Sequence, residues 1–547
     1  MTARGNGYDV AILGAGIAGS VLAAILARNG VRVLLVDAGT HPRFAVGEST
    51  IPHTTLLLRV LSERYRVPEV AHLAGFGNVQ RHVSRACGIK RNFGFVYHRE
   101  GRPQNPHEVN QFVLPRIAGT ENHWFRQDVD AYLFHAAVRY GATPRQRTRI
   151  TDVDIDGSGV TLASDRGETF RARYVVDASG FRSPLAERFS LREQPTRLRH
   201  QSRSLFTHLV GVRPYDDCLR PRSAYRNPVA WHEGTLHHVF DGGWLWVIPF
   251  DNHPGATNEL CSVGLTLDPR THPRNGIDPA DEFDGFLARF PEIARQFTDA
   301  RAVRDWTSTP RMQYSCTHTV GDRFCVTAHA AGFIDALYSR GLTNTFEVIN
   351  ALAHRLIAAT VDDDFSRARF EYVERLEQGL LDANDAIVHC SFTGFRDYPL
   401  WNATFHLWAL FTMTSALPLQ HAFNAFRAGD PTAFQSLEDV PNPGAPLPMG
   451  TDGTELLRES VALCAAVTDG TLAPPEAADR LFTLIRDADF APPALNFANP
   501  ARPILNTTPT TILNLLHWTH TSAPPTIAPL FRSPLKSLLR DKTPWLH

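Results

Sequence analysis

The stretch Tyr8-Asp-Val-Ala-Ile-Leu-Gly14-Ala-Gly16-Ile-Ala-Gly19 decides the fold. The residues before Gly14 form a strand, three glycines spaced Gly-x-Gly-x-x-Gly turn the chain, and an Ala/Leu-rich run to Asn29 forms a helix. A second strand, Val31-Arg-Val-Leu-Leu-Val36, ends at Asp37. Such a βαβ unit opens a doubly wound parallel sheet, a Rossmann-like α/β fold. The first glycine makes the tight turn, the second lets a pyrophosphate approach the backbone, and the third lets helix and strand pack closely. The helix N-terminus offers N–H groups to phosphates, and a carboxylate closing the second strand accepts from ribose hydroxyls. Gly14, Gly16, Ala18, Gly19 and Asp37 are therefore the expected dinucleotide contacts.

Outward from this unit, the chain reads as an ordinary soluble protein. It has 547 residues, 43% hydrophobic and 20% charged, with a formal net charge of -1. The length implies two or three joined parts, and the charge balance asks for neither nucleic acid nor an anionic membrane. No apolar run is long enough to span a bilayer. The N-terminal apolar run is broken by Gly14, Gly16 and Gly19, unlike a secretion signal. Seven scattered cysteines without a CxxC pair read as reduced thiols in a cytoplasm, with no metal site and no disulfide framework.

Further along, 90–98 alternates aromatics like a strand and 128–140 is helical. Tyr174-Val-Val-Asp177 returns to the first sheet, as does Phe324-Cys-Val-Thr327. Strand-like stretches at Leu205–Val210, His237–Phe240 and Trp244–Phe250 suggest a β-rich platform. Residues 345–428 are helical and carry Trp401, Phe405, Trp408 and Phe411, and 453–489 is helical between Pro-rich stretches at 440–448 and 491–503.

Five further segments carry chemistry. In Gly243-Trp244-Leu-Trp246-Val-Ile248-Pro249, two indoles on alternate strand positions build a bulky wall on one face. In Gly88-Ile-Lys90-Arg-Asn-Phe-Gly-Phe-Val-Tyr97, the alternation places Phe93, Phe95 and Tyr97 on one face. Lys90, Asn92 and Gly94 fall on the other, where small neighbours leave room for a pocket. Partial burial of Lys90 would favour its neutral, nucleophilic form. Val175-Val-Asp177-Ala-Ser-Gly180-x-x-Ser183 and Phe125-Arg126-Gln-Asp128 form a second pair of candidate cofactor segments. Ala330-Ala-Gly332-Phe-Ile-Asp335-Ala-Leu-Tyr338-Ser339-Arg-Gly341-Leu342 contains a glycine turn whose backbone N–H groups could hold an anion.

Together these segments resemble the flavin-dependent halogenases, over residues 7 to at least 410. Within that family, His41-Pro-Arg-Phe-Ala-Val-Gly-Glu-Ser-Thr50, Phe125–Asp128, Ser339-Arg-Gly-Leu342 and Leu400-Trp-Asn402 are similar to one subgroup. It includes the tetracycline halogenase and the enduracidin and ramoplanin hydroxyphenylglycine halogenases. The resemblance implies an FAD-binding domain of the aromatic hydroxylase type over 1–195 and 300–360. It also implies a β-sheet substrate platform over 196–299 and a mostly helical substrate-covering region over 361–547. It implies FAD as cofactor, contacted also by Ser49, Arg126, Asp177, Asp335 and Leu342, and chloride or bromide as co-substrate at the N–H groups of Arg340 and Gly341. Trp244, Trp246 and Pro249 would be the flavin-wall motif that obstructs hydroxylase chemistry. Lys90 would meet hypochlorous acid made at the flavin, either hydrogen-bonding it or forming a chloramine. Ala336 stands where the family has Pro, and Ala328-His329 where it has Gly-Asp.

Tyr338 stands where tryptophan halogenases carry a glutamate, so a phenolic ring of a polyketide or hydroxyphenyl peptide suits this chain better than free tryptophan. No second dinucleotide fingerprint is present, which implies a separate flavin reductase. The base that removes the ring proton is open among Glu48, His53 and Glu347. The basic tail residues Arg532, Lys536, Arg540 and Lys542 could meet an acidic carrier protein, a solvated tail being the commoner explanation. An FAD monooxygenase would share the fold but oxidise NAD(P)H unaided and need neither Lys90 nor chloride. A non-catalytic flavin scaffold would bind FAD without halogenating.

Overall fold

The computed structural model describes residues 7–114, 119–446 and 452–540. Lys542 and the end of the 440–448 stretch lie outside these residues, and the side chains of Lys536 and Arg540 are likewise not described.

The opening unit forms as expected: strand Tyr8–Leu13, helix Ile17–Arg28 and strand Val33–Val36. Tyr8–Leu13 lies centrally in an eight-stranded sheet, with Val33–Val36 on one side and Thr169–Asp177 on the other, both parallel to it. Thr143–Arg145 and Phe324–Val326 extend the parallel set at either end. The two opening strands are buried almost throughout, as a sheet covered on both faces requires. Helices Ile17–Arg28, Pro52–Tyr65 and Arg340–Asp362 share one core on this sheet.

A second, nine-stranded sheet is mostly antiparallel. Eight of its strands run in the order Arg301–Ala302, Arg203–Val210, Cys261–Leu267, Gly243–Pro249, Thr235–Phe240, Asn92–Tyr97, Val109–Val113, Ile504–Asn506, and the ninth, Thr307–Ser308, also pairs with Arg203–Val210. The β-rich part expected over 196–299 thus takes strands from well outside that span. Asn92–Tyr97 adds parallel to Thr235–Phe240, and Ile504–Asn506 parallel to Val109–Val113. Each strand sends alternate residues to opposite faces. Phe93, Phe95, Tyr97, Trp244, Trp246 and Ile248 enter one core, while Val96, Leu245 and Val247 enter another.

Helix Tyr398–Ser415 covers the tryptophan face with Trp401, Phe405 and Trp408. Hydrogen bonds staple it down: Tyr398 Oη donates to the Val109 carbonyl (3.1 Å), and Asn110 Nδ2 donates to Asn402 Oδ1 (2.7 Å).

A third, two-stranded ribbon pairs Gly88–Lys90 with Glu121–His123. It corrects the reading of 90–98 as one strand. The chain breaks at Arg91, whose N–H bonds to the Glu233 carbonyl, so the alternation does not carry through. Lys90 Nζ lies 3.4 Å from the Phe93 ring centroid, not on the opposite face. Nor does Gly94 open a pocket: a Cβ there would meet Trp231 Cε3 at 2.4 Å, so the missing side chain makes room for an indole.

Gly264 has the same purpose beneath the tryptophan wall, where a Cβ would stand 2.0 Å from Trp246 Cζ2. Gly264→Ala is expected to lower stability by about 1–3 kcal/mol through overpacking, read as a lower urea midpoint at unchanged slope.

Candidate active site

The dinucleotide cradle is sorted by space. Gly14 has φ +95°, and a Cβ would meet the Ala178 carbonyl oxygen at 2.6 Å. One on Gly19 would meet the Gly14 carbonyl oxygen at 1.9 Å. A Cβ on Gly16 would find nothing nearer than Arg43 Nη2 at 3.8 Å. Gly14 and Gly19 therefore permit strand, turn and helix to touch, whereas Gly16 keeps a face open where a phosphate can reach the backbone. No side chain caps the helix that begins after Gly16, so its first N–H groups stay available to phosphate oxygens. Asp37 accepts from the Ala15 N–H (2.6 Å) and the Gly39 N–H (2.7 Å) and pairs with Arg43. Burial works against its charge, but Arg43 and these N–H groups hold the carboxyl below its ordinary range. These features fit an adenine dinucleotide.

Other expected cofactor residues are engaged within the protein. Arg126 grips Asp130 through Nε (2.8 Å) and Nη2 (2.9 Å) and donates from Nη1 to the Val46 and Gly47 carbonyls, fixing the 46–47 loop. Asp177 is fully buried and accepts from Ser179, Ser183 and the Leu185 N–H, so its carboxylate organises its own turn. Asp335 accepts from Ser202 Oγ (2.7 Å) and the Leu337 N–H (3.0 Å) and meets His200 Nε2 at 3.1 Å. Those contacts fix the turn although Ala336 replaces the usual Pro. Leu342 is buried in the core of the first sheet.

At the glycine turn, Ser339 adopts φ 55° and the helix Arg340–Asp362 starts without a side-chain cap. The N–H groups of Arg340 and Gly341 thus head a 23-residue helix, a favourable place for an anion. His329 Nε2 stands 3.2 Å from where a Gly341 Cβ would be. Burial, then the charge of Arg126, pushes the His329 imidazole down to about 4, so it is neutral. The cleft here is lined by His329, Phe333, Tyr338, Arg340, Gly341 and Glu377, among others. Burial raises Glu377 to about 8, with Thr327 and the Ala328 N–H pulling the other way.

Lys90 is fully buried. Its Nζ donates to the Oγ of Ser49, a residue expected at the cofactor, at 2.7 Å. Burial drives the Lys90 ammonium well below its ordinary range, with Glu121 opposing. Glu121 sits directly across the ribbon and accepts from Thr50 Oγ1 (2.7 Å) and Thr55 Oγ1 (2.9 Å). Burial raises its carboxyl, and the two hydroxyls and Lys90 lower it. His123, on the same strand, bonds to the Pro249 carbonyl (2.9 Å) and to Thr235 Oγ1 (3.0 Å). Glu121, His123 and Thr235 are not among the residues that the sequence singles out. The only local signal is a polar Glu-Asn-His run abutting Trp124-Phe125, and its meaning depends on pairing with 88–90.

Ring contacts lead from the amine to the glycine turn. Phe93 meets Trp408 edge-on at 5.1 Å, and Trp408 stacks on Tyr338 at 4.6 Å and 11°. Trp244 and Trp246 stand 5.6 Å apart on the same face. Of the three candidate bases, His53 Nε2 and Glu347 Oε1 lie 3.3 Å apart beside Arg340, and Glu48 pairs with His208 at 3.4 Å. Among the described residues no hydrogen bond joins any of them to Lys90.

Gly16→Val should leave the thermal transition of the flavin-free chain within about 1 kcal/mol of the parent while weakening FAD binding about tenfold or more, measured by flavin fluorescence titration. Gly19→Ala should lower the transition itself.

The sequence matches the FAD binding domain family over residues 7–210 and the tryptophan halogenase family over 122–439. It is 49% identical to the tetracycline 7-halogenase of Kitasatospora aureofaciens, covering 93% of this chain and 92% of that one. It is 46% identical to the monodechloroaminopyrrolnitrin halogenase PrnC of Pseudomonas fluorescens, covering 98% and 96%. Among solved structures, halogenase PltM in complex with phloroglucinol and FAD superposes with a TM-score of 0.88 at 36% identity, covering 91% and 99%. Identity of this order over nearly the whole of both chains makes this chain a member of the flavin-dependent halogenase family.

Proposed function

We propose that this FAD-dependent halogenase chlorinates an electron-rich, phenolic ring of a natural-product intermediate, with Lys90 as the residue that hands on the chlorine. The observation that carries the reading is an amine buried beside Phe93 and joined by packed rings to a helix N-terminus able to hold a halide. A tetracycline halogenase at 49% identity and a phloroglucinol-bound halogenase at 36% support a phenol. So does Tyr338, packed on Trp408 and bonded to Ser391, where a carboxylate for an indole substrate would otherwise stand.

Bound FAD supplies the oxidising chemistry that turns chloride into hypochlorous acid. The chain's own parts are positional. The cradle of Gly14, Gly16, Ala18 and Gly19 with Asp37 holds the dinucleotide. Arg340 and Gly341 hold the halide by backbone N–H groups, and the tryptophan wall with helix Tyr398–Ser415 excludes water. Reduced FAD comes from a separate flavin reductase, and the place of work is the cytoplasm. Substrates tethered to a carrier protein are named for relatives of 24–25% identity; a free small molecule fits the nearer ones better. No helix among the described residues is long and apolar enough to cross a membrane.

The deciding experiment supplies FAD, a reductase, NADH, oxygen and chloride to the purified chain with phenolic polyketides and hydroxyphenyl peptides. Chlorinated product is expected by mass spectrometry, with Lys90→Ala reducing it on the order of 100-fold or more while flavin oxidation continues. Hydroxylated product that ignores chloride and Lys90 would overturn the reading in favour of a monooxygenase.

A further inference from the structure

The hydrogen bonds around Lys90 form a directed chain. The Pro249 carbonyl can only accept, so His123 Nδ1 carries the hydrogen in that 2.9 Å contact. Burial, then the positive charge of Lys90, pushes His123 down to about 3, so its ring is neutral and Nε2 is an acceptor. Thr235 Oγ1 therefore donates to Nε2 (3.0 Å), Ser49 Oγ donates to Thr235 Oγ1 (2.9 Å), and Lys90 Nζ donates to Ser49 Oγ (2.7 Å). All four residues are buried, and a β-bridge between Ser49 and His123 fixes the second member of the chain relative to the last. The last acceptor belongs to the tryptophan-wall motif. Glu121 is the other candidate partner, but no hydrogen bond joins it to Lys90, and its Oε2 is engaged by two threonine hydroxyls.

We propose that Ser49, Thr235 and His123 are a proton relay that takes a proton from Lys90 while its nitrogen is chlorinated and returns it as the chlorine leaves for the ring. The relay rests on the reading of Lys90 as chlorine carrier. Neutral Lys90–NH2 attacks the chlorine of hypochlorous acid with its nitrogen pair, the O–Cl bond breaks and hydroxide leaves. The chloroammonium Lys90–NH2Cl+ passes one proton through Ser49 and Thr235 onto His123 Nε2, leaving Lys90–NHCl. In the second step a ring π pair forms the C–Cl bond and the N–Cl pair stays on nitrogen. The proton returned from His123 restores Lys90–NH2, and the displaced ring proton joins the hydroxide as water. The sum is ring C–H plus hypochlorous acid giving ring C–Cl plus water, with His123 neutral again. Ser49, Thr235 and His123 act through Lys90 and are positioning residues. The other titratable or charged groups facing this set are Glu121 on the opposite strand, His237 on Thr235–Phe240, His232 before that strand, and Arg59, which acts on Glu121.

The test follows Lys90 itself in the flavin-free, full-length chain. One equivalent of hypochlorous acid is added between about pH 6 and about pH 9, a span that lies above the range of His123, so that its ring starts neutral throughout. Retained oxidising equivalents are titrated with thionitrobenzoate, and subtracting the same variant carrying Lys90→Ala isolates the Lys90 chloramine. Thr235→Val and His123→Gln are expected to lower it about tenfold at the acid end and to recover towards the alkaline end, where solvent can take the proton. Thr235→Ser, which keeps the hydroxyl, should stay within about twofold of the parent throughout. A parent-like profile in Thr235→Val and His123→Gln, or an equal loss at every pH, would overturn the relay. If the parent shows no Lys90-dependent equivalents, the Lys90 reading falls and the relay with it, a result separable from a relay failure because it appears in the unmodified chain.

Discussion

Burying an amine is the constraint on which the rest of this structure depends. An ammonium with no water around it is costly unless it is paired or gives up its proton. Among the described residues, Lys90 is fully buried and has no hydrogen bond to a carboxylate, only one to a serine hydroxyl, and it lies over the face of Phe93. That environment favours the neutral nitrogen, the form with an electron pair to offer an electrophile. The ribbon that holds it is correspondingly over-determined. Asn252 exchanges two hydrogen bonds with the Ile89 backbone, Gly88 lies where a Cβ would collide with the Pro249 carbonyl, and 48–50 is zipped to 122–124.

The same ribbon couples the two large sheets. Trp124 leads directly into Phe125 and the helix Arg126–Arg139, whose Arg126 fixes the 46–47 loop next to the cradle. On the other side His123 reaches Pro249, the end of the tryptophan-bearing strand. The helix N-terminus proposed for the halide and the amine in the ribbon are thus parts of one rigid frame, separated by packed rings. Separation matters for this chemistry, because an oxidant that escapes to water does not reach the substrate.

Much of this architecture is legible in the order of the residues. The βαβ unit, the returns of Tyr174–Asp177 and Phe324–Val326, the alternation of Trp244, Trp246 and Ile248, and the long helices after 340 all follow from local periodicity. Two expectations fail, each for a non-local reason. Alternation carried through Arg91 puts Lys90 opposite Phe93, but a contact with Glu233 ends the strand there. Gly94 reads as open space, yet Trp231, from a distant part of the chain, fills it. The hydrogen bonds of Arg126, Asp177 and Asp335 to Asp130, Ser183 and Ser202 are likewise set by neighbours whose positions only the folded chain defines.

By itself the sequence determined the cradle, the tryptophan wall and the glycine turn, because each is a short segment whose spacing carries its own geometry: a glycine turn between strand and helix, two indoles two residues apart, a helix start beside a Ser-Arg-Gly step. Only the tertiary structure decided what surrounds the amine. Ser49, Lys90, His123 and Thr235 come from four separate stretches, and no spacing in the chain relates them. They meet because antiparallel pairing of 88–90 with 121–123, beside the strand that begins at Thr235, puts their side chains within hydrogen-bond reach. Hydrogen-bond polarity is a property of such a meeting, set by which atoms can only accept, and it exists in no residue alone.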